Sequence, residues 1–298
     1  MFYRLLGLWG CLCLGLAAGL SPALAQNQNV LLIGNSYTSY HGLQSMLQSM
    51  LREGQQDQSQ VYRTTRGGAN FTNHLANLDG SNGDTTLRQY LITDPLALAV
   101  VVMQEQSQTP GFYDAGNLFT DSLSAAVLID DAIAATGAQT VFYQTWGRLN
   151  GDSRNPFYYP DYLAMQARLD EGYSRYVEAT STAQRATLAA PVGPAFQLIH
   201  DAYINAGFDP VNNENSDFFR LYAGDGSHPS RRGTYLAACV IYATITQNDP
   251  RDLAFTTSSV SPREHELLRA AAAHVVLGVP SEQSVNGLIF SLFTDGFE

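Results

Sequence analysis

The 298 residues carry 16 Lys+Arg against 27 Asp+Glu, a formal net charge of −11 that makes nucleic acid a poor partner. Every basic residue is Arg, and a chain without Lys has no Schiff-base chemistry, no Lys general base and no Walker-type phosphate loop. At 45% hydrophobic and 14% charged it is globular and long enough for one substantial core.

In chain order, residues 1–25 read as an export signal: Arg4 gives the positive start, Leu5 to Leu20 is almost unbroken apolar, and Ala23-Leu24-Ala25 is a small-x-small cleavage site. Cleavage there removes Cys11 and Cys13 and leaves Cys239 alone, so neither an internal disulfide nor a cysteine metal site can form. Val30 to Ile33 then predicts a strand, and Leu43, Met46, Leu47, Met50 and Leu51 share one helix face. Val61 to Thr65 predicts a second strand. The continuous apolar run Leu96 to Met103 suits the centre of a parallel sheet. Helix 117–136, strand Thr140 to Thr145, helix Tyr162 to Val177 and strand Ala186 to Ala190 follow, with helices at 195–206, 234–247 and 262–278. This alternation predicts an α/β fold with a central parallel sheet of about five strands, one domain over 26–285 and a short tail over 286–298. Asn- and Asp-rich loops at 77–86 and 209–217 are candidate rims of a site. The tail from Leu288 to Glu298 is too short to span a bilayer, and no later segment of the mature chain predicts membrane insertion.

Two segments carry candidate chemistry. Gly34-Asn35-Ser36-Tyr37-Thr38 lies between a strand and a helix, where open α/β sheets bind ligands, so Ser36 is a candidate nucleophile. A serine there also reads as an ordinary helix cap. In Asp225-Gly226-Ser227-His228-Pro229-Ser230, the spacing lets Asp225 fold back on one imidazole nitrogen of His228 and leave the other free to take a proton. An ordinary Asp/Ser turn fits the same residues. His41, His74, His200, His265 and His274 lack a comparable partner at close spacing and read as surface or core residues. No clustered His/Asp set suggests a metal, and no cofactor is implied.

In order, GNSYT at 34–38, the glycine pair of RGGAN at 66–70, VVMQEQS at 101–107 and DGSHPSRRGTYLAA at 225–238 resemble the sequence blocks of the SGNH hydrolases, the GDSL esterase/lipase superfamily. The resemblance runs from Asn29 to about Thr246 and is closest to an exported bacterial branch with a GNSYT nucleophile block; TWGRL at 145–149 and PVGPAF at 191–196 look like that branch too. It implies a three-layer α/β/α sandwich with Ser36 as nucleophile, His228 as general base and Asp225 as the acid that orients it. The N–H groups of Ser36 and Gly68 are then the oxyanion donors. Two positions depart from the family pattern: Asn35 stands where most members have aspartate, and Gln104-Glu105-Gln106-Ser107 replaces the usual G-x-N-D. Gln104 and Gln106 are the candidates for the missing asparagine donor, or simply bond loop backbone.

The implied function is a secreted or periplasmic serine esterase acting on short acyl, foremost acetyl, esters, with a small-molecule or carbohydrate ester as its partner. Trp146 and the aromatic loop Phe157 to Tyr162 are candidate stacking faces for sugar, or core packing. The alternatives are a broad arylesterase or lipase-like hydrolase, and a non-catalytic binding protein on the same fold.

Overall fold

The computed structural model describes residues 29–280, with Val285 and Gly287. The leader expected over 1–25, with Cys11 and Cys13, and the tail from Leu288 to Glu298 lie outside the described residues. The strands are β1 (Val30–Gly34), β2 (Val61–Thr65), β3 (Val100–Met103), β4 (Gln139–Gln144) and β5 (Leu188–Pro191). The helices are α1 (Ser36–Ser39), α2 (Leu43–Gln55), α3 (Phe71–Asp79), α4 (Thr86–Arg88), α5 (Leu118–Thr136), α6 (Tyr162–Thr180), α7 (Val192–Asn205), α8 (Arg231–Thr246) and α9 (Pro262–Leu277).

All five strands are parallel, in the order β2-β1-β3-β4-β5, so the apolar run ending at Met103 supplies the central strand. Every residue of β1 and β3 is buried, whereas the edge strands β2 and β5 are partly exposed. Because strand side chains alternate, the inner strands β1, β3 and β4 feed two cores. Val30, Leu32, Val100, Val102, Val141 and Tyr143 face the layer of α2, α7, α8 and α9. Leu31, Ile33, Val101, Met103 and Phe142 join Phe71, Ile129 and Tyr176 of α3, α5 and α6 on the other side. The result is a three-layer α/β/α sandwich. Cys239 is buried within α8, and burial pushes its thiol up to about 12, so it is a core residue and not a reactive thiol. No helix of the described residues is long and apolar enough to cross a membrane.

After β2 the chain returns past β1 to form β3, so the strand order reverses between β1 and β3. Ligands of such sheets bind outside the carboxyl ends of the strands at this switch point. The segments leaving β1 at Asn35 and β3 at Gln104 therefore flank it.

One region departs from the sequence expectation. Where no element was expected between Gly68 and Leu96, Phe71–Asp79 forms α3, opened by a reciprocal cap in which Asn70 accepts from Asn73 N–H while Asn73 accepts from Asn70 N–H. The expected loop at 77–86 thus begins inside this helix and ends at α4; Asn77, Asn82 and Asp84 bond to one another, and no residue of it or of 209–217 lines the cavity at Ser36.

Candidate active site

Ser36 is the first residue of α1, but it does not cap the helix. That role falls to Asn35, whose Oδ1 accepts from Tyr37 N–H at 3.0 Å while its Nδ2 donates to Ala69 O at 2.9 Å. With the cap supplied by its neighbour, the Ser36 hydroxyl points elsewhere: its Oγ lies 2.8 Å from His228 Nε2. The turn is tight enough that a Cβ on Gly34 would come within 2.3 Å of Thr38 Oγ1 and 2.7 Å of Gln104 Oε1, so glycine is required there.

His228 sits in the loop before α8, and Ser230 fixes the end of that loop by accepting from Arg232 and Gly233 N–H and donating to Arg220 O. Asp225 Oδ1 accepts from Ser227 and His228 N–H, and its Oδ2 lies 2.5 Å from His228 Nδ1. Burial raises the Asp225 carboxyl, but the hydrogen bonds from the His228 ring and from the two N–H groups outweigh it and hold the group below its ordinary value. An ionised carboxylate only accepts, so Nδ1 carries the ring hydrogen and Nε2 is left to accept from Ser36 Oγ. Tyr40 stacks on the imidazole at 4.4 Å, and Tyr37 meets it edge-on at 5.4 Å.

A cavity of about 220 Å³ opens at this pair, lined by Ser36, Gly68, Gln106, Ser107, Arg148 and Ser227 among others. Gly68 has φ of +69°, where glycine is favoured, and its N–H has no partner among the described residues. Gln106 is in the wall, its amide set by bonds to Gln108 and Thr109: Oε1 accepts from both backbone N–H groups, and Nε2 donates to Gln108 Oε1 at 3.0 Å. Gln104 is not brought to the cavity. It is fully buried, its Oε1 accepts from Asn35 N–H and Thr38 Oγ1, and its Nε2 donates to Glu105 O. It clamps the serine turn through its amide oxygen and does not line the cavity.

Arg148 was not singled out from the sequence, yet its guanidinium donates to Ser107 Oγ at 3.0 Å and pairs with the buried Asp152 at 3.1 Å. It leads into an adjoining cavity of about 290 Å³ that shares Arg148 and Ser227 and is completed by Asn150, Gly151, Asp152, Ser153, Arg154, Asp225 and Gly226. No apolar side chain lines it. The aromatic candidates lie elsewhere. Trp146 is fully buried between Tyr37 at 4.8 Å and Phe196 at 4.4 Å, Tyr159 and Tyr162 are buried too, and exposed Phe157 lines neither cavity. Trp146, Tyr159 and Tyr162 are core packing, whereas Phe157 is open to solvent.

Of the remaining histidines, His74 is buried against Gly34 O and lowered to about 4 by burial, so it is neutral. His200 does have a carboxylate partner, Asp201 at 2.7 Å, on α7 and outside both cavities. Among the described residues no group of three His, Cys, Asp or Glu side chains could hold a metal ion.

No family model matches the chain, and none of the curated proteins does. Solved structures do. A protein from Slackia heliotrinireducens described as a candidate SGNH hydrolase is 26% identical with a TM-score of 0.55, over 74% of this chain and 100% of that one. A DUF4886 family protein from Bacteroides uniformis is 18% identical with a TM-score of 0.63, over 85% and 95%. A catalytic mutant of an acetylxylan esterase from Geobacillus stearothermophilus is 12% identical with a TM-score of 0.50, over 75% and 97%. Together with the five-stranded parallel sheet and its two helical layers, these likenesses show that the chain has an SGNH-like α/β/α fold.

Proposed function

We propose that the chain is an exported serine esterase that removes short acyl groups, acetyl foremost, from polyhydroxylated alcohols such as sugars. The observation that carries this reading is the continuous relay Asp225 Oδ2 to His228 Nδ1 and His228 Nε2 to Ser36 Oγ, open to a cavity. Ser36 Oγ attacks the ester carbonyl while His228 Nε2 takes its proton, and Asp225 stabilises the imidazolium that forms. The N–H groups of Ser36 and Gly68 hold the oxyanion, with the Gln106 amide as the third donor. His228 then protonates the leaving alcohol, and a water activated by the same nitrogen hydrolyses the acyl-enzyme.

The two cavities support this substrate class. About 220 Å³ beside Ser36 suits a small acyl group, being below the usual range of about 300–1,000 Å³ for drug-sized ligands. The adjoining cavity lies on the Asp225 side, where the leaving alcohol departs past His228, and offers only hydrogen-bonding side chains and glycine. An acetylxylan esterase is among the structural neighbours, which agrees with this reading. The leader-like residues 1–25 support export. The test is a chain-length series of p-nitrophenyl esters run beside acetylated xylo-oligosaccharides: a preference for acetyl and release of acetate from the sugar support it, and a preference for long acyl chains contradicts it.

A further inference from the structure

Glu105, the residue between the two glutamines after β3, is fully buried, and none of the steps above uses it. Its Oε1 accepts from Gln106 N–H at 2.7 Å. Its Oε2 accepts from Phe71 N–H at 2.7 Å and from Ser122 Oγ at 2.8 Å. Phe71 is the first residue of α3, three positions after Gly68, and Gly68 and Gln106 both line the cavity at Ser36. One carboxyl group thus ties together the two loops that carry the outlying oxyanion donors. A buried carboxyl without a cation beside it is costly unless donors surround it, and here three do.

We propose that Glu105 is a positioning residue that fixes the oxyanion-binding loops of Gly68 and Gln106 at one spacing relative to Ser36. This rests on the esterase reading of the site. The role depends on a side chain that accepts at both oxygens. In its neutral form Glu105 can carry its hydrogen on Oε2 and donate to Ser122, which passes its own to Tyr176 Oη at 2.7 Å, so both backbone N–H groups keep an acceptor. Glutamine has the same shape but cannot do this. Whichever way its amide is turned, the NH₂ faces either Phe71 N–H or Gln106 N–H, and one of the two loops loses its anchor. An oxyanion loop displaced in this way stabilises the transition state less and leaves ground-state binding almost alone.

The test compares wild type and Glu105→Gln on p-nitrophenyl acetate, with inhibition by phenylboronic acid, whose serine adduct places an oxygen where the oxyanion forms. The expected result is a kcat lower by about 10-fold or more with KM within about 2-fold, and a boronate Ki that rises in step with the loss in kcat/KM. Amide exchange should also quicken at Phe71 or Gln106. A Glu105→Gln protein with wild-type kcat and boronate Ki overturns the role. Should that variant not fold, Ser122→Ala withdraws only the hydroxyl at Oε2: a several-fold fall in kcat at constant KM supports the role and an unchanged kcat overturns it. A wild type that neither turns over the ester nor binds boronate overturns the esterase reading and this role with it, whereas an active wild type with an unaffected variant overturns the positioning role alone.

Discussion

Ser36 Oγ and His228 Nε2 lie 2.8 Å apart although 192 positions separate them in the sequence. The approach is made by two short structures, each fixed from its own side. Asn35 caps α1 and leaves the serine hydroxyl unused, while Asp225 binds the backbone and the ring of His228 at once. The second of these sets the tautomer. Asp225→Asn presents an amide where Nδ1–H needs an acceptor, and kcat should fall by roughly 10³–10⁴-fold with little change in KM. Steady-state kinetics on p-nitrophenyl acetate check this, and near-normal turnover would remove Asp225 from the relay.

Asn35 stands where most SGNH hydrolases, which the sequence resembles, carry aspartate, and its amide has a specific use. Its Nδ2 donates to Ala69 O while Oδ1 accepts from Tyr37 N–H, and the residue is buried. Aspartate keeps the second bond but sets a carboxylate oxygen against the Ala69 carbonyl. Asn35→Asp should destabilise the protein by about 1–3 kcal/mol at neutral pH. Urea unfolding measures it, and an equally or more stable variant contradicts the assignment.

Burial raises the Glu105 carboxyl from 4.5 to about 7, against the hydrogen bonds from Phe71, Gln106 and Ser122 that favour its charge. The folded value lies above the unfolded one, so the contribution of this group to stability is full below pH 4.5 and is lost as pH rises to about 7. Against Glu105→Gln, whose side chain does not titrate, the wild type should lose up to about 3 kcal/mol over that interval. Unfolding curves from pH 4.5 to 8 check this; a constant difference between the two proteins contradicts it.

Arg154 and Asn150 line the adjoining cavity without touching the Ser36 relay. If that cavity receives the leaving sugar, alanine at either position should raise KM for an acetylated oligosaccharide about 3–10-fold, the scale of one or two lost hydrogen bonds. Equal KM in variants and wild type would assign the sugar elsewhere.

Much of this was legible in the sequence, for identifiable reasons. Val30 to Ile33 is an unbroken apolar run and Leu43 to Leu51 has helical spacing, so the first strand and helix follow from periodicity. The alternation of strands and helices gives the parallel sheet and its central strand at Val100–Met103, while the full strand order comes from the pairing in the structure. Helix α3 was not legible because its cap is an Asn70–Asn73 pair in a stretch whose Asn and Gly residues read as loop. The choice between Gln104 and Gln106 is not legible from spacing because an amide serves equally as donor and acceptor, and only the packed turn shows the Gln104 oxygen accepting from Asn35 N–H and the Thr38 hydroxyl. Arg148 lay within the TWGRL segment already singled out. Its place at the junction of the two cavities depends on a buried ion pair with Asp152 and a bond to Ser107, on a different loop.

The central claim is that Ser36 is a nucleophile activated by His228. The most direct measurement is intact mass after treatment with a fluorophosphonate, on wild type and Ser36→Ala, beside turnover of p-nitrophenyl acetate. The expected result is one adduct on the wild type, none on the variant, and loss of turnover with the adduct. A folded wild type that takes no label, or a Ser36→Ala protein that still hydrolyses the ester, would contradict it.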